Sequence, residues 1–141
     1  MYEILLDSAG IDIARALELM LAAAEERRPQ LVFCKLGKDR TGVMSALVLA
    51  CCGASEAQIV ADYARSDGVD SVALGGLEKM RDMQGMDAKL FASAPPEAMR
   101  ALLAYAGQRW GGLGGYMSSV GFGRGQQEAL GRALTEGEAW E

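Results

Sequence analysis

A reactive thiol and a guanidinium lie close together in this sequence, at Cys34 and Arg40. Five residues separate them, Gly37 among these, and Thr41 and Gly42 follow directly. A glycine-containing loop that runs into a helix presents backbone N–H groups and the positive end of the helix to an anion. The same field lowers the pKa of a thiol, so we expect Cys34 to be a thiolate at neutral pH. Arg40 is then placed to bind two oxygens of a phosphate with its planar fork of donors.

These residue types predict phosphate transfer in two steps. The Cys34 thiolate attacks phosphorus and forms a covalent intermediate, and Thr41 hydrogen-bonds the departing thiolate in the hydrolytic second step. The donors of the loop take the part that a divalent ion has in many phosphoryl-transfer enzymes. The sequence therefore calls for neither a metal nor a cofactor.

Two other interpretations of the loop are weaker. A nucleotide-binding loop of the Walker A type needs Ser or Thr after Lys38 and a glycine where Val32 stands, and the residue after Lys38 is Asp39. Cysteine is often simply buried in a core. For Cys34 the neighbouring Arg40 argues against that role, whereas Cys51 and Cys52, in an apolar run, are expected to be core residues.

Composition excludes several classes of function. A net charge of -5 and a pI near 4.8 argue against a broad nucleic-acid surface. The chain has no histidine, which excludes Ser-His-Asp triads, Cys-His proteases and His-ligated metal sites. Three cysteines make no disulfide framework, so we expect a reducing, cytoplasmic compartment. No apolar run is long enough for a membrane span.

Apolar periodicity and capping signals predict helices joined by short turns. The signals include Pro29 after the first helix, a capping box that starts at Ser55, and glycines 111 and 112 after a later helix. The predicted helices cover residues 11–28, 41–52, 55–66, 72–83, 95–110, 116–120 and 126–134, with a frayed tail at 137–141.

Residues 31–33, Leu-Val-Phe, form a short apolar run that predicts a buried strand leading into Cys34. A lone strand cannot satisfy its own backbone hydrogen bonds in a core. We therefore expect a sheet whose other strands belong before Met1. The alternative is an all-helical domain in which residues 31–33 are only an extended link.

The stretch from Cys34 to Gly42 resembles the signature HCxxGxxRTG of the protein tyrosine phosphatase superfamily, in the branch that carries GKDRTG. Residues 53–55, 59–63 and 116–122 also resemble the helical second half of that family. The resemblance implies an α/β, phosphotyrosine-phosphatase-like fold, of which this chain is mainly the helical C-terminal half with the strand and loop that carry the nucleophile. Residues 1–141 would then be a single, truncated domain.

The resemblance also implies roles for the loop residues. The implied catalytic residues are Cys34, Arg40, Asp39 and Thr41, and the implied substrate-binding residues are Lys35, Leu36, Gly37, Lys38, Asp39 and Arg40. The pattern CKxGKxR is similar to the loop of tensin-type phosphoinositide phosphatases, in which two lysines meet additional ring phosphates. The expected partner is therefore a phosphorylated protein of the phosphotyrosine type or a phosphoinositide.

Two departures from the family pattern affect catalysis. Phe33 stands where the family has histidine, so Cys34 is expected to be less acidic than usual. Upstream of the loop the only aspartates are Asp7 and Asp12, so the usual general acid is missing, and Asp39 is either its replacement or a structural hydrogen-bonding group. These departures motivate the alternative function of a pseudophosphatase, a phosphate-binding module with impaired catalysis.

Overall fold

A computed structural model describes residues 2–67 and 93–136 of the chain, and in these two ranges it contains seven helices and no strand. The mainly helical character that the sequence predicts is confirmed there. The helices are α1 Tyr2–Ser8, α2 Gly10–Glu25, α3 Asp39–Cys51, α4 Glu56–Ala64, α5 Pro96–Trp110, α6 Leu113–Ser119 and α7 Arg124–Thr135.

Helix α3 lies at the centre of this arrangement. It is apolar on most of its surface, and it contacts α1, α4, α6 and α7. A helix that is apolar on most sides is stable only when other elements cover it. The other helices, including α2 and α5, supply large side chains that are fully buried in one common core, among them Leu17, Leu102, Tyr116 and Leu130. The helix that follows the cysteine loop is therefore rigidly embedded.

Local sequence signals place α4 and α5 correctly. Ser55 Oγ accepts a hydrogen bond from the Gln58 N–H at 3.3 Å, and Gln58 Oε1 accepts one from the Ser55 N–H at 2.8 Å. This confirms the predicted capping box. Helix α5 begins at Pro96 and is followed by Gly111 in the left-handed conformation, with φ of 75°. The predicted turn at this glycine is also confirmed.

The ends of other helices differ from the prediction. Helix α2 ends at Glu25, so Arg27, with φ of 53°, and Arg28 lie after the helix rather than in its last turn. Helices α6 and α7 are confirmed but begin two or three residues earlier than predicted. Helix α1 was not predicted. The predictions for residues 72–83 and 137–141 lie outside the described residues.

Residues 31–33 form an exposed, extended link. Leu31 and Phe33 are 85% and 75% exposed and Val32 is 38% exposed, so the predicted burial is wrong. Val32 lines an apolar groove of about 250 Å³ together with Met20 and Met44. No described residue forms a hydrogen bond with the backbone of this link.

None of the helices within residues 2–67 and 93–136 is long and apolar enough to cross a membrane.

Candidate active site

The loop from Cys34 to Lys38 turns the chain sharply before α3 begins. The Gly37 N–H donates to the Cys34 carbonyl at 3.2 Å, and Gly37 has φ of 63°, a conformation that side chains disfavour. Lys38 then precedes the first residue of α3, and its carbonyl accepts from the Gly42 N–H at 2.7 Å. Cys34 is thus held beside the N-terminal end of a thirteen-residue helix.

Hydrogen-bond donors surround the sulfur of Cys34. Burial raises the pKa of this thiol, but the Thr41 hydroxyl and the backbone N–H groups of Thr41, Leu36 and Lys38 outweigh burial and lower it to about 6. The thiol is therefore mostly ionised at neutral pH. This happens without the family's histidine, since the chain has none and Phe33 is turned to solvent.

The two other cysteines have the opposite environment. Burial, and then the neighbouring Cys52, raise the pKa of Cys51 to about 11. Burial raises the pKa of Cys52 as well. Cys51 lies against Met117, with 3.7 Å between the two sulfur atoms. Cys34 is the one thiol of the three that is activated. Cys51 packs, partly buried, against the core as expected, and Cys52 is also partly buried.

Thr41 faces the nucleophile from the first turn of α3. Its hydroxyl is buried, and apart from the Cys34 sulfur it has no hydrogen-bonding partner among the described residues. Its effect on the pKa of Cys34 identifies the sulfur as the group that it stabilises. A hydroxyl buried in this way is available to a thiolate without competition from a backbone carbonyl.

Arg40 and Lys35 lie at the surface of the loop. Both residues are exposed. Neither forms an ion pair with a residue in the part of the chain that the structure describes. A guanidinium that is accessible and not already paired can bind an incoming phosphate in a bidentate manner.

Lys38 points into the protein instead. The residue is only 4% exposed, and its Nζ donates to the Ser93 carbonyl at 2.8 Å and lies 3.6 Å from Asp39 Oδ1. The next residue, Ala94, is held by Asp67, whose Oδ1 accepts from the Ala94 N–H at 2.9 Å. The resemblance implies that Lys35 and Lys38 both contact phosphates of the substrate, but of these two ammonium groups only that of Lys35 is at the surface.

Asp39 is the first residue of α3 and belongs to a cluster with two tyrosines. The Tyr2 hydroxyl donates to Asp39 Oδ1 at 2.6 Å, and the hydroxyl oxygens of Tyr2 and Tyr63 are 2.5 Å apart. Burial, and then the hydrogen bond to Asp39, raise the pKa of Tyr2 far above its ordinary range. Burial also raises the pKa of Tyr63. Both tyrosines therefore stay protonated.

Sequence reasoning missed both tyrosines. Tyr63 had a weak signal, because it continues the apolar repeat of Ile59 and Val60 on α4. Tyr2 had no local signal. A Cβ on Gly42 would lie 2.8 Å from Cδ2 of Tyr63, so glycine at this position is what lets the ring approach α3.

The upstream aspartates are engaged elsewhere. Asp7 accepts from the Tyr105 hydroxyl at 2.7 Å and lies 3.7 Å from Arg109 on α5. Asp12 is exposed on α2. Of the aspartates considered, the structure therefore brings only Asp39 to the cysteine loop. No group of three or more Cys, Asp or Glu side chains within the described ranges is arranged to hold a metal ion.

Comparisons with known proteins agree with this geometry. Residues 1–136 match the family model described as the tyrosine phosphatase family. The chain is also 48% identical over 58 residues to the triple specificity protein phosphatase PtpB of Mycobacterium tuberculosis (strain ATCC 25618 / H37Rv). That match covers 41% of this chain and 20% of the relative's length. With nearly its whole length matched by the family model, this chain belongs to the tyrosine phosphatase family.

Proposed function

We propose that this chain hydrolyses phosphate monoesters through a covalent phosphocysteine at Cys34. The observation that carries the proposal is the position of Cys34 at the N-terminal end of α3, where the Thr41 hydroxyl and three backbone N–H groups surround the thiol and lower its pKa to about 6. A module that only binds phosphate needs the N–H groups and a cation but gains nothing from an ionised thiol. Catalysis is therefore better supported than binding alone.

In the first step the Cys34 thiolate attacks phosphorus, an S–P bond forms, and the bond between phosphorus and the ester oxygen breaks. Arg40 binds two phosphate oxygens, and the N–H groups of Lys35, Asp39 and Arg40 stabilise the charge that develops on them. Asp39 donates the proton that the leaving oxygen takes. Such a donor matters most when the leaving alcohol is a poor one.

In the second step water attacks phosphorus and the S–P bond breaks. Asp39, now a carboxylate, accepts the proton from water, and inorganic phosphate leaves. The thiolate departs into the hydrogen bond with Thr41, which lowers the barrier because it stabilises the charged sulfur. The enzyme returns to its starting state without an external reductant or oxidant.

The exposed charges bear on the substrate class. Lys35 and Arg40 are exposed, while the Lys38 ammonium is buried. One loop lysine fewer at the surface favours an ester with a single phosphate, such as a phosphotyrosine-type protein, over a headgroup with several phosphates. Phosphoinositides are the second class that we propose, with Lys35 as the contact to an additional phosphate. The name of the relative, triple specificity protein phosphatase, supports acceptance of more than one class of substrate.

We also infer that residues 31–33 become a strand of an α/β fold when β strands of a longer polypeptide lie beside them. The support is their extended, unpaired backbone and the apolar side chains on both of its sides. Hydrogen exchange tests this inference. The amides of residues 31–33 should exchange at the rate of an unprotected chain here and become protected in a longer polypeptide that contains those strands.

Release of inorganic phosphate without added metal tests the proposed activity. The substrates are an aryl phosphate, a phosphotyrosine peptide and a panel of phosphoinositides, and the variants are Cys34→Ser and Arg40→Lys. Both variants should abolish turnover, because the first removes the nucleophile and the second removes bidentate binding.

Matched controls are available elsewhere in the chain. Cys52→Ser removes a thiol that is not activated, and Arg100→Lys changes an exposed arginine that pairs with Glu97 on α5. Both controls should keep the activity of the unmodified chain. Turnover that survives Cys34→Ser, or a cooperatively folded chain that releases no phosphate, would refute the proposed function.

A further inference from the structure

The Tyr2–Asp39–Tyr63 cluster joins three helices at the N-terminal end of α3. Tyr2 comes from α1, Asp39 from α3 and Tyr63 from α4. The two tyrosine rings meet edge to face, with 6.1 Å between their centroids and 87° between their planes. Tyr63 is also 3% exposed and packs against Gly42. The cluster is therefore fixed by the core and by the helix that carries Arg40 and Thr41.

The donors in this cluster have a defined order. A carboxylate can only accept, so the single hydrogen of the Tyr2 hydroxyl is used on Asp39 Oδ1. The Tyr2 oxygen must then accept from Tyr63, because one hydroxyl cannot donate twice. The hydrogen bonds run from Tyr63 to Tyr2 to Asp39. Lys38 Nζ approaches the same oxygen, Oδ1, at 3.6 Å.

The second carboxyl oxygen of Asp39 takes no part in the cluster. Oδ2 forms no hydrogen bond or ion pair with a residue in the ranges that the structure describes. A carboxylic acid held through one oxygen can carry its proton on the other and keep a constant orientation. An acid that donates in a transition state must be held at a defined distance and angle.

We propose that Tyr2 and Tyr63 are positioning residues for proton transfer by Asp39: they hold Oδ1 so that Oδ2 carries the proton to the leaving group. This inference rests on the phosphatase function proposed above. It assigns a catalytic consequence to α1 and α4, neither of which contributes a residue to the cysteine loop.

The test compares two aryl phosphates that differ in the leaving group. A nitrophenolate leaves readily without a proton, whereas the phenolate of phenyl phosphate leaves poorly, so only the second reaction depends strongly on the acid. We expect Asp39→Asn to lower kcat/KM for phenyl phosphate by about 100-fold and to have a much smaller effect with 4-nitrophenyl phosphate. Tyr2→Phe should lower kcat/KM for phenyl phosphate by about tenfold, equivalent to about 1.4 kcal/mol, and change that for 4-nitrophenyl phosphate less than twofold.

Further variants separate positioning from general damage. Tyr63→Phe should act in the same direction as Tyr2→Phe, and Tyr2→Phe should cause no additional loss in a chain that already carries Asp39→Asn. Tyr105→Phe is the matched control, because this tyrosine donates to Asp7 at 2.7 Å on the surface and should leave both substrates unaffected. The rate of Cys34 alkylation should be the same in the Tyr2 variant and the unmodified chain.

Two results would overturn the inference in an active enzyme. One is an equal loss with both substrates after Tyr2→Phe, which would indicate a structural role. The other is a full additional loss from Tyr2→Phe in the Asp39→Asn chain, which would show that the two residues act independently.

An inactive but folded unmodified chain would instead refute the proposed function. Thermal unfolding of Tyr2→Phe, Asp39→Asn and the double variant would then still decide whether the tyrosines hold Asp39. A shift in Tm of the double variant that is smaller than the sum of the two single shifts supports that contact, and a shift equal to the sum refutes it.

Discussion

Thr41→Val should make the Cys34 thiol less acidic by a measurable amount. Four hydrogen bonds, one from the Thr41 side chain and three from backbone N–H groups, lower the pKa to about 6 against the effect of burial. A free cysteine has a pKa of about 8.5, so the net fall of about 2.5 units gives at least about 0.6 of a unit for each bond. Because the four bonds also offset the effect of burial, each accounts for roughly one pKa unit. Valine keeps the shape of threonine and loses only the hydroxyl. The pKa of Cys34 should therefore move to roughly 7 in the variant.

The rate of reaction with a small neutral disulfide measures this change over a range of pH. At pH 5 the variant has about a tenth of the thiolate, but a more basic thiolate is intrinsically more nucleophilic, by about threefold per pH unit. The variant should therefore react about threefold more slowly at pH 5 and two- to threefold faster at pH 8, with a crossing near pH 6.5. A chain that carries Cys51→Ala and Cys52→Ala removes any contribution from the other thiols.

Thr135→Val is the matched control for this experiment. Thr135 donates to the Gly131 carbonyl on α7 at 2.7 Å and is not part of the cysteine loop. This control should reproduce the pH profile of the unmodified chain. A midpoint near 8.5 in the unmodified chain, or the same midpoint with and without the Thr41 hydroxyl, would refute the explanation of the thiol's acidity.

Three further predictions concern stability. The pKa of Cys34 is lower in the folded state, about 6, than in the unfolded state, so the contribution of this thiolate to the free energy of unfolding is full above pH of about 8.5 and is lost as the pH falls towards 6. In urea unfolding, the free energy of unfolding should rise more from pH 6 to pH 9 for the unmodified chain than for Cys34→Ser. Equal rises in the two chains would contradict this explanation. Lys38→Met should destabilise the protein by about 1.5–3 kcal/mol because the Ser93 carbonyl loses a charged donor, whereas the exposed Lys35→Met should change the free energy of unfolding by less than about 0.5 kcal/mol. Gly131→Ala should cost about 1–3 kcal/mol because its Cβ would lie 2.2 Å from the Cys51 carbonyl oxygen, while Gly107→Ala, with open space around it in α5, should stabilise by about 0.4–1 kcal/mol; thermal unfolding that ranks the two in the opposite order would be inconsistent with the packing of α7 on α3.

The parts of the structure that sequence reasoning predicted are those that local chemistry decides. The capping box at Ser55 involves residues three apart, and Pro96 begins α5 because its missing N–H costs nothing in a first helical turn. The loop around Cys34 is also local, since the turn, the backbone donors and the helix start follow one another along the chain. These features need no knowledge of distant residues.

The features that sequence reasoning missed depend on partners far away in the chain. Helix α1 is short and weakly patterned, and it is fastened by the burial of Leu6 and by the Tyr116 hydroxyl, which donates to the Leu6 carbonyl at 3.1 Å. The orientation of Lys38 depends on Ser93, which no spacing rule connects to it. The apolar run at residues 31–33 predicts burial by its composition, but composition does not specify which element covers it.

The anchoring of Lys38 on Ser93 has a consequence for the order in which the protein forms. The two residues are 55 positions apart. Tyr2 likewise links Asp39 on α3 to Tyr63 on α4. Closing such long loops is slow and entropically costly compared with forming a turn. A nascent chain that has emerged only through Gly42 contains every residue of the cysteine loop but neither Tyr63 nor Ser93. The contacts that Lys38 and the Tyr2–Asp39 pair make with these two residues therefore form later. Transplanting those nine residues into another scaffold would transfer the motif without the contacts that give it a defined shape.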